Sequence, residues 1–225
     1  METGRGSVAP RSSAAPRPAL AWELARILIG IAVVGILVYA YALRIAVGDV
    51  NPLDYFGYFT NQTSLIAAGV LISTGFLGVS GRRSPSWLTL LRGLVTAYLI
   101  VVGVIYNVLV PGTGSAPPWV SVVLHVVFPV VVVLDWLLVG DHPRLPWRLL
   151  WLLLPYPVMW LIVVLLRGVT DGWVPYGFLL PERGPLSLLL HIVVLLAAVL
   201  LAGVLVWSAS RFRGVWSAGR RIDRT

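Results

Sequence analysis

The sequence has no cysteine and no lysine, and only 12% of its 225 residues are charged. Without cysteine there can be no disulfide, no thiolate metal site and no thiol nucleophile, and nothing in the chain marks its redox compartment. The apolar runs hold no carboxylate pair, and the chain carries no phosphate-cradling glycine motif, no H-E-x-x-H and no G-x-S-x-G. Those absences remove paired-carboxylate catalysis, P-loop chemistry, zinc-helix hydrolysis and the serine elbow. No metal and no cofactor is expected.

Hydrocarbon dominates what is present. The chain is 58% hydrophobic, far from ordinary soluble composition. A helix needs about 20 apolar residues to cross a bilayer, and six runs meet that length, roughly 20–45, 55–79, 87–110, 118–139, 147–167 and 184–210. The expected fold is all-α, a polytopic six-transmembrane-helix bundle spanning 20–210. Residues 1–19, rich in Ser, Pro, Ala and Arg, read as a disordered tail, and 211–225 as a basic tail. "AYA" at Ala40 to Ala42 follows an apolar run too long for a cleaved signal peptide.

All 17 basic residues are arginine, and the net charge is +8. Arg5, Arg11, Arg17 and Arg26 flank the first run, and Arg82 and Arg83 the turn after the second. Arg144 and Arg148 flank the turn after the fourth, and Arg211, Arg213, Arg220, Arg221 and Arg224 the end of the sixth. The positive-inside rule then puts both termini in the cytoplasm. The charge is explained by topology and anionic lipid, and no nucleic-acid partner is implied. Trp22, Trp87, Trp119, Trp147 and Trp207 sit near run ends, as an aromatic belt requires.

With that orientation, the rise of about 1.5 Å per residue gives depth. Thr60 lies about 8 Å in from the outer end of its run, and His125 and His191 about 10 Å in. Tyr106 and Asn107 lie at a comparable level, so the polar residues form one layer in the outer half of the membrane. In "TNQTS", Thr60 to Ser64, the residues Thr60, Thr63 and Ser64 cluster on one face, Asn61 flanks them and Gln62 points away. Thr63, Ser64 and Gln62 read as interhelical packing, and the stripe Thr60, Ser64, Ala67 would let another helix come close. Asn61-Gln62-Thr63 matches a glycosylation pattern, but a sequon inside a helix is inaccessible.

Pro129 has no N–H to give the carbonyl of His125, so the histidine should sit at a kink. Pro155 and Pro157 should break the fifth helix around Tyr156. Asp135 is about 15 Å along from His125 and about 80° round, which excludes it as the orienting carboxylate; pairing with Arg144 or Arg148 is expected instead. Glu23 and Arg26 read as an i,i+3 pair, and His142, in "GDHPR", as a solvated loop residue.

A hydroxyl, an imidazole and amides at one depth can do nucleophilic catalysis, the imidazole taking the hydroxyl proton as it attacks a carbonyl. Thr60 and His125 are the candidate pair. Asn61 and Asn107 are candidate oxyanion donors, Tyr106 and His191 candidates to orient base or substrate.

"YFT" leading to Thr60 and "LHVVFPVVVVLDW" around His125, within six helices, resemble the androgen-induced and androgen-dependent tissue-factor-regulating membrane proteins and their bacterial relatives. The likeness spans about 20–210. It implies an intramembrane threonine hydrolase of fatty-acid esters of hydroxy fatty acids, with Thr60 as nucleophile and His125 as general base, in a bacterial cytoplasmic membrane. The spacing of 65 positions is tighter than in the eukaryotic members, which bears on lipid specificity. The segment "RGVTDGWVPYGFLLPERGP" is similar to a "YPYxFLxP" segment of bacterial relatives, and its Trp173, Pro175, Tyr176 and Phe178 form an amphipathic lip for an acyl chain or an interfacial anchor.

Two other readings remain. His125 and His191 could be axial ligands of one haem in an electron-transfer protein, or the kinked helices could serve a small transporter or scaffold.

Overall fold

A computed structural model describes residues 20–112 and 116–212. The first tail expected from the sequence, and the second except for Arg211 and Phe212, lie outside the described residues. Within them the chain is helical, and six helical stretches are long and apolar enough to cross a membrane. They are α1 (Leu20–Ala46), α3 (Phe59–Val79) and α4 (Ser86–Leu109), a composite of α5 (Pro118–Val122), a π turn (Val123–Val127) and α6 (Phe128–Val139), a 3₁₀ segment (Trp147–Leu153) running into α7 (Pro155–Thr170), and α8 (Pro185–Ala209). A short helix α2 (Pro52–Gly57) precedes α3, and two 3₁₀ turns lie between α7 and α8.

The second apolar run is therefore not one helix. Asn51 caps α2 by accepting from the Leu53 amide, and Tyr58 then takes an extended conformation (φ −66°, ψ 128°) that ends α2 and starts α3. "TNQTS" consequently forms the first turn of α3 and not the body of a longer helix.

The prolines act where expected but in a different form. Pro129 cannot close a normal turn, and the backbone widens instead into a π turn, with the Phe128 amide reaching back to the Val123 carbonyl. Pro155 and Pro157 stand in the first turn of α7, where a missing N–H costs nothing, and the chain before them winds as 3₁₀.

Helix α1 packs chiefly on α3 through glycines. A Cβ on Gly30 would stand 2.8 Å from the Ala68 carbonyl, and one on Gly75 would stand 2.6 Å from that of Glu23. The close approach runs through these glycines and Ala67 and Ala68, both buried. Two cores result, one of Val33, Leu37, Leu71, Leu99, Leu124 and Phe128, the other of Phe59, Tyr98, Trp160, Leu161, Leu179 and Trp207.

At the end of the bundle that carries Leu20 and Ala209, buried charges tie α1, α4 and α6 together. Asp135 accepts from Trp22 Nε1 and Arg26 Nε, each at 2.7 Å, and its other oxygen lies 3.5 Å from Arg92 Nε. Asp141 accepts from Arg26 at 2.8 Å and from Arg92 at 2.6 and 3.2 Å. Arg26 also reaches Glu23 at 3.0 Å, the pair read from the sequence. This corrects the expected partner of Asp135: Arg144 and Arg148 are exposed, while two helix-borne arginines reach the carboxylate inside the bundle. His142 is corrected as well. Its ring stacks on Trp136 (centroids 3.9 Å apart, 5° between planes) and its Nε2 lies 2.9 Å from the Trp136 carbonyl. Burial, and then the Arg92 cation, pull its imidazole below the usual range.

Candidate catalytic site

Thr60 is the second residue of α3, and its Oγ1 lies 3.3 Å from His125 Nε2 on the π turn. Equal depth has become contact between residues 65 apart in the chain. The other imidazole nitrogen, Nδ1, is 2.8 Å from the Ser121 carbonyl one turn earlier and 3.3 Å from the Ser121 hydroxyl. A carbonyl only accepts, so in the neutral ring Nδ1 carries the proton and Nε2 presents its lone pair to the threonine hydroxyl.

Tyr106 braces the histidine. The two rings stack at 3.5 Å and 14°, the Tyr106 hydroxyl is 2.6 Å from Ser121 Oγ, and it accepts from the Gly112 amide at 3.1 Å. The imidazole is thus held on its edge by α5 and on its face by α4. The His125 carbonyl, left without a helical donor by Pro129, faces Asn107 Nδ2 at 3.5 Å, and a Cβ on Gly103 would stand 3.2 Å from it.

The amide candidates are committed elsewhere. Asn61 Nδ2 donates to the Tyr55 carbonyl at 2.8 Å, and Asn107 Nδ2 donates to Gly103 at 2.7 Å on an exposed face. Neither amide is turned to Thr60 in this arrangement. Gln62 does join helices, accepting from the Tyr156 hydroxyl at 2.8 Å, whereas Thr63 bonds back to its own helix at Phe59.

Tyr176, on the loop between α7 and α8, stands against Thr60. It lines the same cleft as Thr60 and Phe59, the first residues of α3. The N-cap of α3, Tyr58, makes no side-chain cap bond, so its side chain does not satisfy the first amides of the helix. Burial pushes the Tyr176 phenol up to about 12, and it keeps its proton to donate. The ring is fixed by Tyr58 (5.8 Å, edge-on) and Phe178 (5.4 Å, stacked).

Trp173 and His191 are farther out. Trp173 lies on Gly57, where a Cβ would meet its ring at 2.2 Å, and under the Arg167 guanidinium at 4.3 Å; it anchors the loop and lines a second cleft with Gln62 and Tyr156. His191 holds the Ser187 carbonyl through Nδ1 at 2.7 Å and stacks on Phe178 at 5.6 Å. It reaches the site through the stack of Phe178 and Tyr176, while Ser121 and Tyr106 stand against His125 itself.

Thr60 opens into a narrow apolar cleft. Phe59, Val101, Val102, Leu161, Leu195, Leu196 and Val199 wall it, and the hydroxyls of Thr60, Tyr106 and Tyr176 are its polar rim. A polar reactive edge on an otherwise hydrocarbon chamber suits a ligand that is mostly acyl chain.

Ser121 supplies the carbonyl that orients His125 and was not singled out by sequence reasoning. Its signal was the i,i+4 spacing to His125, hidden because the acceptor is a main-chain carbonyl that any residue would supply. No family model, curated protein or solved structure matches the chain.

Proposed function

We propose that this protein is an intramembrane ester hydrolase that forms an acyl-threonine intermediate. The observation that carries this reading is the contact of Thr60 Oγ1 with a His125 Nε2 whose tautomer is set by the Ser121 carbonyl, at the rim of an apolar cleft. Thr60 Oγ1 attacks the ester carbonyl as His125 takes its proton, and the oxyanion receives the Tyr176 O–H and the α3 amides. The imidazolium then protonates the departing alkoxide. In the second half a water loses its proton to His125, attacks the acyl carbonyl and releases the acid, with the proton returning to Thr60.

No carboxylate contacts Nδ1 among the described residues; a neutral carbonyl orients the ring in its place. A carbonyl stabilises imidazolium less than a carboxylate does, so turnover is slow relative to acid-assisted triads. The resemblance to the androgen-induced family and its bacterial relatives supports the same pair. The arginine distribution supports cytoplasmic termini and so a dyad in the outer half of the membrane, and the resemblance to bacterial relatives supports a bacterial cytoplasmic membrane. The haem alternative loses ground because Nε2 of His125 faces Thr60 and Tyr106 covers the ring.

The test is hydrolysis of a medium-chain fatty ester by the detergent-solubilised protein. His125→Ala lowers kcat by about 10²- to 10⁴-fold, Thr60→Ala abolishes turnover and Thr60→Ser keeps it. A transporter or scaffold would tolerate serine, valine and alanine at Thr60 alike, and a Thr60→Val protein with full esterase activity would end the hydrolase reading.

A further inference from the structure

We infer that the cleft beside Thr60 takes one unbranched acyl chain of about eight to ten carbons, methyl end toward the end of the bundle that carries Leu20 and Ala209, and that its floor sets this length. The inference rests on the proposed hydrolase for the reacting end of the ligand and on the cleft for the rest.

The level of the reacting atoms is fixed by contacts. Tyr176 and Thr60 line the same cleft, Tyr176 stacks on Phe178, and Phe178 stacks on His191. From that level α8 descends eight residues to Val199, the deepest of the α8 residues on the cleft wall, which is about 12 Å at 1.5 Å per residue. On α4, Val101 lies five residues below Tyr106, about 7.5 Å. Below Val199 the chamber is closed: Leu153 is fully buried, its carbonyl accepts from Tyr98 at 3.1 Å, and its side chain fills the space where a Cβ on Gly203 would stand.

An extended alkyl chain advances about 1.25 Å per carbon, from a C–C bond of about 1.5 Å on a zigzag axis, so about 12 Å holds roughly eight to ten carbons. One leaflet of a bilayer is about 15 Å of hydrocarbon. A chain of about 12 Å is shorter than that, so the cleft discriminates against the longer acyl chains of the surrounding lipid. No polar side chain lines the cleft below the rim, which excludes a chain with a charged or hydroxylated tail. The ester oxygen and leaving alcohol then point to the mouth, beneath the loop that bears Tyr176.

Two measurements on the full-length protein test this. Across p-nitrophenyl esters from C4 to C16, kcat/KM should rise about fourfold per methylene to a maximum at C8 to C10 and fall beyond. Val199→Phe should move the maximum to shorter chains, and Val199→Ala to longer ones. A profile that climbs through C16, or one unmoved by either variant, overturns the floor. Independently of turnover, decanoic acid with a terminal diazirine should photolabel the Thr60→Ala protein at Leu195 to Val199. Label confined to lipid-facing Leu189, Leu190, Val193 and Leu201 overturns the inference. Label at Val199 with no hydrolysis of any ester would sustain the acyl cleft and refute the hydrolase.

Discussion

Asp141→Asn should destabilise the protein severely, whereas Glu23→Gln, in the same cluster, should not. The five ionisable side chains are Arg26 and Arg92 against Glu23, Asp135 and Asp141, two positive and three negative if all are charged. By charge count alone, removing either acid relieves an excess, and the two substitutions should be equivalent. Geometry separates them. Asp141 accepts three bonds, at 2.6, 2.8 and 3.2 Å, from two arginines that are each 2% exposed. Both Nη atoms of Arg92 that form hydrogen bonds give them to Asp141, leaving only a 3.5 Å approach to Asp135 through Nε. Glu23 holds one bond of 3.0 Å to an arginine otherwise paired with Asp135 and Asp141. Unpairing a buried charge costs about 3–5 kcal/mol. At about 2–4 °C per kcal/mol for a chain of this size, Asp141→Asn should lower Tm by roughly 6–20 °C, and Glu23→Gln by a few degrees at most.

The assay is thermal unfolding in one detergent, read across pH. Burial alone would raise the Asp141 carboxyl, but the Arg92 and Arg26 guanidiniums outweigh it and hold the group well below the usual carboxylate range. A carboxyl depressed in the fold contributes stability above its unfolded value of about 3.9 and loses it as pH falls through the folded value. The wild-type Tm should therefore hold from pH 7 to about 5 and fall below about 4, and Asp141→Asn should be flatter there. Equal Tm losses for the two variants, or a loss under 2 °C for Asp141→Asn, would refute the reasoning.

Two further outcomes concern the site. Tyr176→Phe removes one of the donors grouped at Thr60 while keeping the ring that packs on Tyr58 and Phe178; kcat should fall about 10²-fold with KM little changed, and an unchanged kcat would make the tyrosine a wall residue only. Tyr106→Leu removes the stacked face of His125 and the Ser121 contact; loss in kcat of about tenfold to a hundredfold with Tm nearly preserved is expected from a misoriented base, and it would be recovered in large part by Tyr106→Phe. Equal activity of the leucine and wild-type proteins would show that the Ser121 carbonyl alone holds the ring.

The apolar runs, the layer at which Thr60, Tyr106 and His125 lie, the Glu23 and Arg26 pair and the disturbance at Pro129 were all legible along the chain. Each depends on spacing within one helix, where rise and turn per residue are constant. What needed the tertiary structure was azimuth and neighbour. Asp135 finds Arg26 across 109 positions and Tyr176 comes over Thr60 from a loop, because α1, α4 and α6 meet at one end and the α7–α8 connection folds back at the other. The break at Tyr58 was also hidden, since an extended tyrosine in an apolar run leaves no mark in hydrophobicity. Backbone groups were the least legible of all. The carbonyl that orients His125 and the amides near Tyr176 belong to every residue alike, and only packing decides which of them a side chain meets.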